Sequence, residues 1–288
     1  MSRLFERTDV AGGGARARPA PEGITVLPPG PGICLICCTG TGGRSAVCAN
    51  CQHTCRQLAA PLVPVTPISL VTPDSALYHL LYRYKASPSV AGPERRALAA
   101  LLSQFFDRHM PCVARGGVDA VVVVPSSTGR RPPPHPLASV LSEVDTLPPV
   151  ISCLVPGHHP AGHRRATRLA VSVTAGLRGA RILVVDDVCT TGAHLQSAAW
   201  ALRTGGAATV DAVAVGRFLR PEWPASRAVL QRSSLHRWDP GCCIRCRPDL
   251  GPPAGLGPPA GLGAGTELGA GAGSGARRRE QVGGGQPS

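Results

Sequence analysis

The run ILVVDDVCTTGA, Ile182–Ala193, holds more reactive chemistry than any other stretch of the chain. Its adjacent carboxylates, Asp186 and Asp187, accept hydrogen bonds from hydroxyl groups. A few residues on, Thr190 and Thr191 supply hydroxyl donors, and Gly192 lets the backbone turn sharply and approach a ligand. The N–H groups of that turn, together with the start of the helix that must follow, attract an anion. A sugar phosphate has this polarity, with hydroxyls at one end and a phosphate at the other. Two blander readings compete. The acids might be caps for the helix, but one would suffice, and the second would be desolvated for no gain. A metal site at a strand end also uses paired acids, but it does not need the Thr-Thr-Gly turn.

The neighbouring residues supply the elements that hold this loop. Arg181–Val185 is an apolar strand, and the helix after the turn carries Leu195, Ala198, Ala199 and Leu202 on one face, with Gly205 and Gly206 stopping it. Val210–Val215 is the next strand. Strand, helix and strand at this spacing make a βαβ unit and therefore a parallel sheet, whose strand carboxyl ends are where ligands sit. Upstream, the Val-rich run Val118–Val124 ends at Pro125 and reads as a strand buried on both faces. Leu77, Leu80, Leu81 and Tyr84, and then Leu98, Leu101, Leu102 and Phe105, follow the spacing of amphipathic helices.

A second kind of chemistry lies nearer the start. Cys34-x2-Cys37 and Cys48-x2-Cys51 are two knuckles, a pattern that suits a tetrahedral four-thiolate zinc site. A module of about thirty residues cannot build its own core, so a metal would supply much of its folding energy. Free thiols or a redox CxxC are the alternatives. Cys38, Cys55 and His53 are spare ligands. Cys243-x2-Cys246, next to Cys242, is a third knuckle that would either replace the Cys48/Cys51 half or take a second metal with Cys55. Cys112, Cys153 and Cys189 read as small apolar fillers.

Composition divides the 288 residues into zones. Residues 1–31 read as a loose leader, 32–60 as the cysteine module and 61–222 as the α/β domain. Residues 223–250 form a cysteine-bearing extension, and 251–288 a disordered Gly/Pro/Ala-rich tail. The net charge of +13 comes from arginine, since Lys85 is the sole lysine. Such a balance suits phosphorylated ligands, nucleic acid or acidic membranes. With aromatic residues at only 3 %, the chain offers no stacking platform for nucleic acid, and it has no compact basic helix. There is no run of eighteen apolar residues and no apolar leader, so the protein is expected in the cytoplasm with its cysteines reduced or metal-bound.

Four apolar residues, two acids and a Thr-Thr-Gly turn resemble the phosphoribosyl pyrophosphate (PRPP) signature of the type I phosphoribosyltransferases. Combined with an N-terminal cysteine module, the order over roughly residues 34–222 is similar to that of the ComF-like proteins, and Tyr82-Arg83-Tyr84-Lys85 resembles their Tyr/Lys helix end. The resemblance implies a doubly wound, mostly parallel sheet beside a small zinc-ribbon-like module. Asp186 and Asp187 would be the catalytic acids that take the ribose hydroxyls, and Thr190, Thr191, Gly192 and Ala193 would take the 5′-phosphate. His194 stands where many members carry Thr. Ser126 and Ser127 fall in the place of the pyrophosphate loop. Gly157–Arg168 falls in the place of a mobile loop, with Arg164 and Arg165 available to pyrophosphate. Where ComF-like proteins carry an Arg-Gly-Phe-Asn cluster, this chain has Thr128-Gly129-Arg130-Arg131 and three prolines. The implied activity is transfer of a 5-phosphoribosyl group to a nitrogenous base or amine, with Mg2+ on PRPP and release of pyrophosphate. The alternative is a non-catalytic PRPP sensor or an accessory protein of DNA uptake. Residues 62–90 and 223–250 are the candidate hood pieces over the acceptor.

Overall fold

Val-rich runs and helical spacings become seven strands and six helices among the residues that the computed structural model describes, 22–86, 88–126, 135–157, 166–168, 170–174 and 176–246. In chain order these are α1 (Ala49–Leu58), β1 (Val65–Val71), α2 (Ala76–Arg83), α3 (Pro88–Val113), β2 (Ala120–Val123), α4 (Pro136–Leu141), β3 (Val150–Ile151), β4 (Leu154–Pro156), β5 (Val171–Val173), β6 (Arg181–Cys189), α5 (Ala193–Thr204), β7 (Thr209–Phe218) and α6 (Pro224–Ser233). Five strands form one sheet in the order β1-β7-β6-β2-β3, with every pairing parallel. A separate antiparallel pair, β4-β5, stands beside it.

The sheet is apolar on both faces because helices cover both. Alternation along β6 sorts its side chains. Leu183 and Val185 pack with Leu77, Leu81, Leu98, Leu101, Phe105 and Leu137 from α2, α3 and α4. Ile182 and Val184 pack with Leu195, Ala198 and Leu202 of α5 and with Leu154 and Val171 of the small pair. This is the doubly wound α/β architecture expected of the chain.

β6 and β7 are longer than their apolar runs alone imply. β6 continues through both acids to Cys189, and β7 continues to Phe218, so that Asp186 pairs with Ala214, Val188 with Gly216 and Cys189 with Arg217. Gly216 is required by this continuation, since a Cβ there would lie 2.9 Å from Leu81 Cδ1.

Residues 22–31, expected as the end of a loose leader, lie across the sheet edge instead. Ile24 bridges Leu70 of β1 in antiparallel sense, and Val26 and Leu27 are buried with Ile33, Leu70, Leu219 and Val229. β1 is an edge strand, yet all seven of its residues are buried. The indole of Trp238 donates to the Ile68 carbonyl at 3.3 Å, and Arg245 donates to Thr66 Oγ1 at 3.0 Å, so the extension after α6 covers the same edge. The cysteine module, the sheet and this extension belong to one compact unit. No helix among the described residues is long and apolar enough to cross a membrane.

Candidate functional site

β6 delivers Asp186 and Asp187 at its carboxyl end, where the sheet opens. Asp187 continues the face of Leu183 and Val185 and is buried at 6 % exposure. There it meets the end of α2. The Tyr84 hydroxyl donates to Asp187 Oδ2, and Lys85 Nζ lies 2.6 Å from the same oxygen. The Tyr/Lys helix end therefore has a definite role, which is to hold the second acid. Asp186, half-buried, accepts from the backbone N–H groups of Asp187 and Val188. Burial, with the Asp187 charge beside it, pushes the Asp186 carboxyl up to about 8. Its oxygens are hard donors of the kind Mg2+ takes, and Asp187 is already committed to Lys85 and Tyr84.

The turn that follows is built for close approach. Gly192 has φ +84°, a left-handed conformation that side-chain-bearing residues adopt at a cost, and it is the N-cap of α5. It offers no side-chain acceptor to the first N–H groups of that helix. Thr191 Oγ1 accepts from Ala193 N at 3.3 Å, and Thr190 is exposed. Asp186, Asp187, Thr190, Thr191, Gly192 and Ala193 thus share one strand end and one turn. Ser126 lies on the adjacent exit: Val123 pairs with Val185, and Val124 N donates to Val185 O at 3.0 Å. Ser127, Arg164 and Arg165 lie outside the described residues.

Arg217 is the functional residue that spacing did not suggest. It is 2 % exposed, at the end of β7. Its Nε donates to Cys37 O at 2.9 Å, and Nη2 lies 3.5 Å from Cys37 Sγ. Nη1 donates to Cys189 O at 2.8 Å and also to Thr190 O. One guanidinium thus fastens the carbonyl side of the turn after β6 to the cysteine module. Its only sequence signal was a charge at the end of an apolar strand.

Beside the turn is a cavity of about 600 Å³, lined by Thr190, Thr191 and Arg217 and walled by Tyr78, Phe218 and Trp223. Tyr78 and Phe218 stack at 5.2 Å between centroids. Tyr78 from residues 62–90 and Trp223 from residues 223–250 both line this cavity. Thr39, Gly40 and Thr41 of the cysteine module complete the wall.

Cys34, Cys37, Cys48 and Cys51 come together as expected, all four buried and with their sulfurs within 4.8 Å of one another. Thiolates 2.3 Å from a tetrahedral zinc would lie about 3.8 Å apart, and Cys37 and Cys48 are separated by 3.7 Å. Cys34 Sγ accepts from Ile36 N at 3.4 Å and from Cys48 N at 3.3 Å, outer contacts that orient a metal ligand. Donation from the neighbouring thiols, with the Arg217 charge, draws Cys37 well below the usual thiol range, while bonding to Cys34 and Cys37, with burial second to it, pushes Cys48 and Cys51 up. The donor set could hold zinc in a zinc-ribbon-like site. The spare ligands stand apart from it: Cys38 Sγ is directed to Val65 O, and Cys55 is exposed with its thiol toward Ala60 O.

No family model matches the chain, and no curated protein matches it. Among solved structures it is similar to a purine phosphoribosyltransferase from Pyrococcus horikoshii, at 16% identity and TM-score 0.27 over 44% of this chain and 90% of that one. It is also similar to an orotate phosphoribosyltransferase from Aeropyrum pernix, at 19% identity and TM-score 0.26 over 48% and 68% of the two chains. An adenine phosphoribosyltransferase from Leishmania donovani gives 15% identity and TM-score 0.32 over 59% and 80%. Likeness at this level decides nothing about activity, which lives in the site rather than in the fold.

Proposed function

We propose that the protein binds PRPP and transfers its 5-phosphoribosyl group to a planar nitrogenous base, releasing pyrophosphate. The observation that carries this reading is the Asp186-Asp187 pair and the Thr190–Ala193 turn, with glycine at its N-cap, on one strand end, opening beside a cavity with aromatic walls. The turn N–H groups and the Thr hydroxyls hold the 5′-phosphate. Asp186 accepts the ribose hydroxyls. Asp187, neutralised in part by Lys85, sets negative charge beside Asp186 and under the sugar. That charge favours the positive character developing at the anomeric carbon as its bond to pyrophosphate breaks and the electron pair leaves with the phosphate oxygen. A ring nitrogen of the acceptor then forms the new bond and gives its proton to solvent. Asp186 would be the residue to hold Mg2+, which would supply neutralisation of the leaving group's charge. Ser126 and its neighbours border the pyrophosphate. The Phe218–Tyr78 wall receives the flat face of the base. Zinc in the four-thiolate cluster steadies the module that, through Arg217, holds the turn.

Calorimetry with PRPP and Mg2+ tests the binding step. The Asp186→Asn, Asp187→Asn double variant should lose affinity, and unchanged affinity would sink the proposal. Pyrophosphate release measured across a panel of purine and pyrimidine bases tests transfer. The ion pair on Asp187, at 2.6 Å, favours a second reading in which PRPP is sensed without turnover, as in an accessory protein of ComF type. Binding with no pyrophosphate release from any base supports that one.

A further inference from the structure

The third knuckle, Cys243-x2-Cys246, neither replaces the Cys48/Cys51 half of the first cluster nor joins Cys55. It folds back onto α3. There His109 and Cys112, three residues apart and therefore on one helical face, meet it. The four ligand atoms lie within 4.8 Å of one another. Cys243 and Cys246 sulfurs are 3.4 Å apart, Cys246 Sγ is 3.6 Å from His109 Nδ1, and Cys112 Sγ is 3.9 Å from the same nitrogen. None of these cysteines forms a disulfide.

We propose that His109, Cys112, Cys243 and Cys246 form a second metal site, a three-thiolate, one-imidazole zinc centre that clamps the C-terminal extension to α3. Three independent features point to it. A tetrahedral site with sulfurs at 2.3 Å and nitrogen near 2.0 Å has edges of about 3.5–3.8 Å, which is close to the spacings between these atoms. The Cys243 knuckle also has the form of the first one: the backbone N–H groups of Arg245 and Cys246 lie beside Cys243 Sγ, where in the first knuckle Ile36 N–H donates to Cys34 Sγ. Finally, the His109 ring faces the thiols with Nδ1, while its Nε2 is buried with no partner at hydrogen-bonding geometry, although the Pro240 and Gly241 backbone lies beside the ring. A metal-bound Nδ1 fixes the proton on Nε2 and turns it toward such a carbonyl.

The four protein ligands complete a tetrahedron and leave no open position, which marks the site as structural rather than catalytic. It sits away from the phosphate turn. α3 ends just before β2 begins, and Arg245 contacts Thr66 and the Pro64 carbonyl where β1 begins, so the cluster lies at the amino end of the sheet. Cys246 is exposed and Cys112 half-buried, which leaves a route for the ion.

The test is metal content of the full chain purified under reducing conditions, with cobalt substitution as the spectroscopic readout. Wild type should carry two zinc ions per chain. Cys243→Ser with Cys246→Ser should carry one, and Cys34→Ser with Cys37→Ser should likewise carry one. The wild-type cobalt form should titrate in two steps. One has the absorption of a four-sulfur site, and the other has ligand-field bands at shorter wavelength from a three-sulfur, one-nitrogen site. His109→Cys should merge the two spectra without loss of metal. If a serine variant proves insoluble, the wild-type titration decides alone. A single equivalent, two all-sulfur spectra, or a Cys243–Cys246 disulfide in place of metal would each overturn the proposal.

Discussion

Asp186 should make the ligand-free protein less stable as pH rises, and Asp186→Asn should remove that dependence. A carboxyl whose folded-state value is raised above its unfolded one contributes stability at low pH that is lost as pH rises through the folded value. The window therefore runs from about 4, the ordinary carboxylate value, to about 8, where burial and Asp187 hold Asp186. At about 1.4 kcal/mol per tenfold change in proton affinity, moving from 3.8 to about 8 corresponds to at most about 6 kcal/mol. Asp186 is only half-buried and shares its field with Asp187 and Lys85, so solvent and coupling reduce this to about 2 kcal/mol. The Asn variant matches the neutral carboxyl in shape. It should approach wild type near pH 4, the lower end of the window, and exceed it by about 2 kcal/mol at pH 8.5, which is roughly 4–8 °C in melting temperature for a domain of this size. Thermal unfolding of both proteins without PRPP, at the two pH values, measures the difference, and titrations elsewhere in the chain cancel in the comparison. A wild-type-minus-variant difference that does not change with pH would refute the claim that the site keeps a carboxylate where water would not. The same variant should lose PRPP affinity, so stability and binding should move in opposite directions.

Three further outcomes follow from the site. Arg217→Met leaves the carbonyls of Cys37, Cys189 and Thr190 without their buried donor, and should cost about 3 kcal/mol in urea unfolding while weakening PRPP binding; Arg217→Lys should not restore either, because an ammonium cannot reproduce the fork. Gly192→Ala has room for its methyl, 3.7 Å from Cys189 Sγ, so its loss of about 1–2 kcal/mol should come from the left-handed backbone, and Gly192→Asn should lose less. Phe218→Ala should raise the acceptor base KM roughly 10- to 100-fold through lost stacking of about 1–3 kcal/mol, with the PRPP Kd, measured calorimetrically, within about twofold of wild type.

What could be read in the chain was local. The βαβ unit around Asp186, the paired acids and the Thr-Thr-Gly turn are contiguous, so periodicity and residue chemistry sufficed, and the first metal knuckles lie ten residues apart. Long-range partners could not be read this way. His109 and Cys112 are hidden in the amphipathic pattern of α3, where Cys112 looks like a filler, and only the return of the extension gives them a role. Arg217 carries no spacing signal, because its acceptors are backbone carbonyls on two distant segments. β1 gives no clean strand signal, because Pro64 precedes it and Pro67 interrupts its run; proline within a sheet is found mainly on edge strands, and β1 is one. Residues 22–31 were taken for loose leader on their Gly and Pro content, although Ile24, Val26 and Leu27 are enough to seat them.

That seating bears on how the protein behaves in a crowded solution. An exposed edge strand invites other chains to add to it, and β1, seven buried residues long, would be a template for such growth. The chain blocks it with two pieces of itself along that one edge, the Ile24 bridge and the Trp238 and Arg245 contacts. Trimming the protein to its sheet and helices would therefore spare the Thr190–Ala193 turn and still yield a sticky molecule, one that fails by self-association before it fails by unfolding.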